Sequence, residues 1–439
     1  MDNLAVIDAI YSQFVASNFQ ISIDSRTIEP GSIFFCIRGE KFDGNAFAAE
    51  AKKQGASMVV VDHPSLKDHK DFVWVEDTTI ALQQLSKIHA LKMPCQKIMV
   101  GGSNGKTTTK EVSRVVLELQ GEVLATPGNW NNHIGVPLTL LQLRPHHKFA
   151  IIEMGTNHPG EMKVLCDLLS PNIGLITNIG KEHLEGFGNI EEVAKEESEV
   201  YLSVINHSGI AVVNADDPWL LSMSKRISNQ ITISTNKMEA DFYAQIETEM
   251  PELTFQLFHK QRFIGRFTSQ LSGRYNAYNL LFGVALGHQM GLSVKEAMDA
   301  ACTYKPTNNR SEWRMVGGIN VFLDAYNANP SSMKFALESF STLKGEKLYF
   351  LGDMLELGDH SVLEHKEILS LCQSLNITDQ TYLVGSEFYN ACSSHPLRFE
   401  TIDSLLAWLD THPIKSEFAF VKGSRGVRME RILEHFDKK

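Results

Sequence analysis

At 439 residues the chain is too long for one ordinary core, and roughly two to four domains are expected. Its 43% hydrophobic and 21% charged content are those of a water-soluble globular protein, with no apolar run of about 18 residues to span a membrane. A net charge of −11 disfavours nucleic acid as a partner, so an anionic ligand must find local basic groups. Six cysteines (Cys36, Cys95, Cys166, Cys302, Cys372, Cys392) show no C-x-x-C pairing, which fits a reducing compartment and argues against a zinc site. Residues 1–8 carry acids where a secretory leader carries bases, so the expected location is cytoplasmic.

Residues 1–92 read as a unit of their own. Short apolar strands at 32–37 and 57–61 alternate with a helical stretch at 47–54, and a second helical pattern at 79–91 leads to Pro94. Asp24-Ser-Arg26 and the 38–44 loop are polar turns whose role the residues alone leave open.

Residues 97–111 carry the strongest signal. Ile98, Met99 and Val100 predict a buried strand, residues 101–105 a glycine-rich turn, and Val112, Val115, Val116 and Leu119 a helix. Strand, glycine loop, Lys-Thr and helix together make a phosphate cradle, because glycines let backbone N–H groups converge and the helix N-terminus adds positive potential. Lys106 would then reach the β/γ-phosphates of a nucleoside triphosphate and Thr107 would sit on Mg²⁺. The loop Gly102-Ser-Asn-Gly-Lys-Thr107 is shorter than G-x-x-x-x-G-K-T, with Val100 where the first glycine would fall. Plain turn chemistry is the alternative reading.

Apolar runs at 149–153, 173–177 and 209–213 alternate with helical segments, which predicts a mostly parallel sheet covered on both faces. Ligands of such sheets gather at the carboxyl ends of strands, and here those ends are polar: Glu153, Thr177-Asn178 and Asn214-Ala-Asp-Asp217. Glu153 is placed to hold Mg²⁺, or is a solvated strand-end acid. His183, in the polar loop 177–188, is a ligand candidate or a surface histidine. On the helix that follows, Ile190, Val193, Val200, Tyr201 and Val204 form an apolar stripe, and Glu197 falls on it. An acid there costs several kcal/mol unless a cation, a basic side chain or water compensates it. Glu191, Glu192, Lys195, Glu196 and Glu199 are assigned to other, solvated faces. The 126–139 loop, dense in Gly, Asn and Pro, is a ligand loop or a set of turns. Residues 240–268 alternate polar and apolar and read as an antiparallel insertion. A third unit begins near Arg310, with strands expected at 320–324, 347–351, 380–384 and 418–421.

The expected fold class is therefore α/β in three domains, divided at 1–92, 93–308 and 309–439. The central one is a P-loop domain with a mostly parallel sheet, the last is Rossmann-like, and the first is a smaller α/β domain.

These segments together resemble the Mur ligase family, ATP-dependent amide-forming enzymes of peptidoglycan precursor synthesis, over essentially the whole chain. Gly102-Ser-Asn-Gly-Lys-Thr-Thr108 is similar to the family's nucleotide loop, shortened spacing included. Asn129-Trp-Asn-Asn-His-Ile-Gly-Val-Pro-Leu-Thr139 and Asp324-Ala-Tyr-Asn-Ala-Asn-Pro-Ser-Ser-Met333 resemble the branch that adds D-alanyl-D-alanine. So do Leu351-Gly-Asp-Met-Leu-Glu-Leu-Gly358 with His365, and Val421-Lys-Gly-Ser-Arg425.

The resemblance implies a monomeric enzyme, away from the membrane, that joins D-alanyl-D-alanine to UDP-N-acetylmuramoyl-tripeptide through an acyl phosphate. ATP and Mg²⁺ would be its cofactors. It implies that the first domain holds the UDP-linked substrate through Ser25, Arg26, Gly39 and Asp43. Gly102, Ser103, Asn104, Gly105, Lys106, Thr107 and Thr108 would cradle the triphosphate, with Asn276 and Asn279 by adenine, Asp324 by the ribose and Arg310 by the γ-phosphate. Thr107 and Glu153 would attend one Mg²⁺, and His183 and Glu197 the other. Asn129, Asn131, Asn132, Tyr326, Asn327 and Asn329 would face the substrates. Lys106, Glu153, His183 and Arg310 would be the catalytic set, with His183 or Asp353 as candidate base for the amine.

Two departures stand out. The family's Gly-x-His-Asn is Gly273-Arg-Tyr-Asn276 here, which predicts altered adenine contacts. Glu197 stands where many of these ligases carry a lysine carbamylated by CO₂, so a permanent carboxylate would supply the same anion; Lys195 is two residues away. The competing readings are a sister ligase adding a single amino acid, a folylpolyglutamate-type ligase, a P-loop ATPase or kinase, and a binding protein without catalysis. Segments 129–139 and 324–333 weigh against the first two.

Overall fold

The computed structural model describes residues 3–39 and 42–437; Glu40 and Lys41, part of the 38–44 loop, lie outside the described residues. At the amino-terminal end, strands Ile21–Ser22, Ile33–Phe35, Met58–Val61 and Val73–Trp74 form a parallel four-stranded sheet in that order. Alternate residues of its buried strands serve two cores. Ile33, Phe35 and Val60 pack with Ile7, Ile10, Phe14, Leu82 and Leu85, whereas Phe34, Val59 and Val61 pack with Ala48 and Ala51. Helix Thr78–Lys92, capped by the Asp77 side chain, lies against helix Gly135–Leu140. Gln83 Nε2 donates to the His133 carbonyl at 3.0 Å and joins the two sheets' territories.

The second sheet has nine strands in the order Arg262–Ser269, Leu253–His259, Phe242–Thr248, Gln230–Ser234, Ile210–Asn214, Ile173–Ile176, Gln96–Gly101, Phe149–Glu153, Val123–Ala125. Its first two joins are antiparallel and the other six parallel. The alternating segment at 240–268 pairs antiparallel, as expected. Its hairpins extend the sheet at one edge.

Ile98 and Val100 face helices Lys106–Leu117, Tyr275–Gln289 and Val294–Ala301; Met99 faces Gly135–Leu140, Glu161–Asp167 and Glu199–Asn206. At Gly287 an added Cβ would lie 2.4 Å from Val116 Cγ1, so the absence of a side chain sets the helix spacing there. Chain order reverses beside Gln96–Gly101, which opens a crevice at its carboxyl end.

The third sheet runs Glu312–Val316, Ile319–Asp324, Phe418–Lys422, Lys347–Gly352, Thr381–Val384, Arg398–Phe399, antiparallel only at the first join. Helix Pro330–Ser341 packs on it through Met333, Ala336, Leu337 and Phe340. Met250 and Leu184, from outside this unit, also lie in that core and help fix it to the nine-stranded sheet.

Candidate active site

The loop after strand Gln96–Gly101 turns through Gly102 (φ +112°) and Gly105 (φ +84°), a region L side chains rarely adopt. A Cβ on Gly102 would also sit 2.2 Å from Thr177 Oγ1. The neighbouring strand end holds the loop in place. Ser103 N donates to the Asn178 carbonyl at 2.8 Å, Asn104 N to Asn178 Oδ1 at 3.2 Å, and Gly180 N to Ser103 Oγ at 2.8 Å. Helix Lys106–Leu117 starts at once, so Lys106, Thr107 and Thr108 occupy its first turn, where N–H groups point outward.

Lys106 Nζ donates to the Gly102 carbonyl and lies 3.4 Å from Glu182 Oε2. Burial works against its charge, but Glu182, Glu197 and Glu153 outweigh it and hold its pKa above the ordinary lysine value.

Glu153 Oε1 accepts from Thr107 Oγ1 at 3.2 Å and from Asn131 Nδ2 at 2.9 Å. Its Oε2 has no hydrogen-bond partner among the described residues; the nearest cation is Lys110 Nζ at 3.9 Å. Lys110 is itself fully buried and donates to the Thr126 carbonyl at 2.6 Å, while Thr126 Oγ1 accepts from Glu153 N at 2.9 Å.

Glu197, 1% exposed, accepts from Gly102 N through Oε2 at 2.6 Å, and its Oε1 has no hydrogen-bond partner among the described residues. Burial pushes its carboxyl up to about 8, against the pull of Lys106. Lys195 points to solvent and pairs with Glu192 at 3.2 Å. The helix expected after the 177–188 loop breaks at Ser198 into Ile190–Glu197 and Glu199–Asn206. Glu196, assigned to a solvated face, is instead buried. It accepts from Gly160 N at 2.8 Å and Met162 N at 2.6 Å, because the first short helix abuts the N-terminus of Glu161–Asp167 and its open N–H groups.

Two buried carboxylates with unpartnered oxygens flank Lys106, a costly arrangement unless a cation joins them. The Thr107 hydroxyl and Glu153 meet at 3.2 Å, oxygen donors of the kind a hard divalent cation takes, whereas Glu153, Glu197 and His183 do not converge on one point; among the described residues the three-ligand cluster is Glu122, His146 and His147, away from this crevice.

His183 adopts φ +46°, with Nδ1 2.6 Å from Glu356 Oε2 of the third unit and Nε2 3.8 Å from Glu182 Oε2. Glu182, buried and facing Lys106, escaped sequence reading because a loop residue sits on no periodic stripe.

The third unit docks on this crevice. Asn329 Nδ2 donates to Asn104 Oδ1 at 2.8 Å, Lys181 N to Ser331 Oγ at 3.0 Å, and Lys181 Nζ pairs with Glu364 at 2.6 Å. Arg310 stacks over the Tyr326 ring at 3.7 Å, with Arg425 also over it at 5.6 Å. Asp324 pairs with Lys422 at 2.5 Å and accepts from Ser311 N at 3.0 Å.

Asn276 and Asn279 are buried behind the loop. Asn279 Nδ2 donates to Asn276 Oδ1 at 2.7 Å, and a Cβ on Gly105 would lie 2.6 Å from Asn279 Oδ1. Tyr275, at the departure from Gly-x-His-Asn, hydrogen-bonds Ser311 Oγ at 2.9 Å and packs against the third unit's core.

Other candidates are committed locally. Asp353 accepts from Glu387 N at 3.0 Å and Phe388 N at 2.9 Å, at the start of helix Ser386–Ala391, so the geometry gives it to structure and not to an incoming amine. Asn327 Oδ1 accepts from Ala328 N, Asn132 Oδ1 from Gly135 N, and the Asn129 carbonyl from Asn131 N. Of Asn129, Asn131 and Asn132, the side chain hydrogen-bonded into the crevice is that of Asn131, which donates to Glu153. Arg26 pairs with Asp24 at 2.6 Å beside Ser25, Asp43 accepts from Asn45 N at 2.9 Å, and Gly39 pairs with Phe42 in a small hairpin. Among the described residues, no hydrogen bond or ion pair joins these four to the 102–107 loop.

Comparisons with known proteins cover all three units. The Mur ligase middle domain matches residues 100–287, the Mur ligase family catalytic domain residues 20–91, and the Mur ligase glutamate ligase domain residues 309–412. The chain is 31% identical to the UDP-N-acetylmuramoyl-tripeptide--D-alanyl-D-alanine ligase of Bacillus subtilis over 94% of its length and 92% of the relative's. Identity is also 31% to the enzyme of that name from Escherichia coli, over the same shares. Its fold is similar to crystal structure I of MurF from Acinetobacter baumannii (TM-score 0.87, 29% identity, 96% of this chain and 93% of that one). It is also similar to MurF ligase from Thermotoga maritima in complex with ADP (TM-score 0.85, 26% identity, 95% and 97%). With full-length relatives at this identity and three matching domains in order, the chain belongs to the Mur ligase family.

Proposed function

We propose that this chain joins D-alanyl-D-alanine to UDP-N-acetylmuramoyl-tripeptide, consuming ATP and yielding the UDP-muramoyl-pentapeptide, ADP and phosphate. One observation carries the reading beyond family membership. The Lys106 loop, two buried carboxylates with unpartnered oxygens and the docked Asn329 segment meet at one crevice.

Residues 1–92 hold the UDP-linked substrate through Ser25, Arg26, Gly39 and Asp43, residues 93–308 bind ATP, and residues 309–439 bring in the dipeptide. Residues 102–108 cradle the triphosphate; Asn276 and Asn279 back the adenine side and Asp324 the ribose. A carboxylate oxygen of the tripeptide attacks the γ-phosphorus, and the bond to ADP's bridging oxygen breaks. Lys106 and Arg310 neutralise the charge that moves with the phosphoryl group. The dipeptide's amine nitrogen then attacks the acyl carbon, a C–N bond forms, the acyl C–O bond breaks to release phosphate, and the departing phosphate takes the proton the amine loses. Asn131, Tyr326 and Asn329 line the approach, with Asn129, Asn132 and Asn327 shaping the turns behind them. The docked third unit keeps water from the acyl phosphate.

Thr107, Glu153, His183 and Glu197 are the residues that would hold Mg²⁺, which supplies charge neutralisation on the phosphates when bound. Glu197 takes the part played elsewhere in the family by a lysine carbamate. No helix among the described residues is long and apolar enough to cross a membrane. The ligase works in this proposal as a cytoplasmic monomer that handles no nucleic acid.

The test is isotopic. With ¹⁸O in the tripeptide's terminal carboxylate, the released phosphate carries one labelled oxygen if the acyl phosphate forms. Unlabelled phosphate contradicts the mechanism.

A further inference from the structure

We propose that Glu182 is an internal stand-in for a nucleotide phosphate: its carboxylate holds the Lys106 ammonium until a phosphate displaces it. The proposal rests on one part of the ligase reading, that Lys106 binds phosphate, and goes beyond it by giving the loop a built-in competitor.

Glu182 Oε2 lies 3.4 Å from Lys106 Nζ, and both side chains are mostly buried. The three acids around this lysine are held differently. Glu153 accepts from Thr107 and Asn131, and Glu197 accepts from the Gly102 amide, so both are held by hydrogen-bond donors other than Lys106. The Glu182 carboxylate has only Lys106 and, at 3.8 Å, His183 Nε2 as partners among the described contacts. It alone is free to swing away.

An ammonium built to meet phosphate, in a buried crevice, needs an anion when no phosphate is there. Glu182 provides one. Its neighbours explain why it stays in reach: Lys181 pairs with Glu364 at 2.6 Å and Glu367 at 3.1 Å, and His183 with Glu356 at 2.6 Å. Glu182 thus sits between two residues gripped by the third unit, and docking of that unit keeps its carboxylate on Lys106. A phosphate that arrives must take the ammonium from Glu182 and leave two anions side by side. Nucleotide without a divalent cation is therefore resisted, and a cation removes the resistance by giving the displaced carboxylate a partner.

The test is ADP binding to the full chain by calorimetry, in EDTA and in Mg²⁺. Glu182→Gln keeps the shape and removes the charge. It should tighten ADP in EDTA by on the order of tenfold, the effect of deleting one like charge in a partly buried site. With Mg²⁺ present, the gain over the wild type should shrink. Glu182→Asp, which draws the charge back by one methylene, should fall between. ADP binding in EDTA that is unchanged or weaker in Glu182→Gln, with wild-type melting behaviour, overturns the proposal and leaves the nucleotide site standing. A wild-type protein that binds no ADP under either condition overturns both.

Discussion

The backbone N–H of Gly102 donates to Glu197 Oε2 at 2.6 Å, which ties an acid on one helix to the first turn of the phosphate loop. The approach is so close that a Cβ on Gly101 would lie 2.6 Å from the same oxygen. Glu197→Ala should therefore lower ligase turnover by on the order of 100-fold, as loss of a cation-holding group does, while Lys195→Ala stays within about twofold. Steady-state rates in CO₂-depleted and bicarbonate-supplemented buffer check both halves. Equal losses, or a wild-type rate that depends on CO₂, contradict a permanent carboxylate.

The same acid sets a pH signature. Burial raises the Glu197 carboxyl from 4.5 to about 8, so between those values the folded protein binds a proton that the unfolded chain has released. Cation-free stability should then fall as pH rises through that window. Melting in EDTA from about pH 6 to about pH 9 reads this out, and Glu197→Gln should flatten the decline. Added Mg²⁺ should stabilise the wild type more at the alkaline end, where no proton has to leave. A decline that the Gln variant keeps would assign it elsewhere.

Asn329 does two things that one pair of variants separates. Its Oδ1 accepts from Ser332 N and caps helix Pro330–Ser341, while its Nδ2 reaches Asn104 across the crevice. Asn329→Ala should cost about 1 kcal/mol of stability and lower turnover. Asn329→Asp keeps the cap but cannot donate to Asn104, so turnover should fall with the melting temperature held. Chemical denaturation beside kinetics distinguishes the two.

Gly102→Ala should abolish ADP binding with the fold retained. The position needs a left-handed backbone, and the new methyl would meet Thr177 Oγ1 and N at 2.2 and 2.6 Å. The strain is on the order of 1–3 kcal/mol and is concentrated in the loop. Circular dichroism with an ADP titration checks it.

What could be read from the chain depended on whether the signal was local. Strands such as Phe149–Glu153 and Ile173–Ile176 are unbroken apolar runs because both faces are covered, and the loop at 102–107 carries its chemistry in consecutive residues. Glu197 betrayed itself by sitting on an apolar stripe. Glu196 did not, because its partners are the open amides of another helix. The edge strand Val123–Ala125 and the inner strand Gln230–Ser234 are short and only partly buried, and gave no run. Nothing local marks Lys110, which the fold brings to Thr126 and Glu153. Asn104 and Asn329 lie 225 residues apart, and no local pattern announces such a pair.

The most direct measurement follows phosphate and product together. Wild-type protein is mixed with ATP, Mg²⁺ and UDP-N-acetylmuramoyl-tripeptide, with and without D-alanyl-D-alanine. Phosphate release that requires the dipeptide and matches UDP-muramoyl-pentapeptide formation, mole for mole by mass spectrometry, is the predicted result. Phosphate release that ignores the dipeptide, with no pentapeptide formed, would contradict the ligase account.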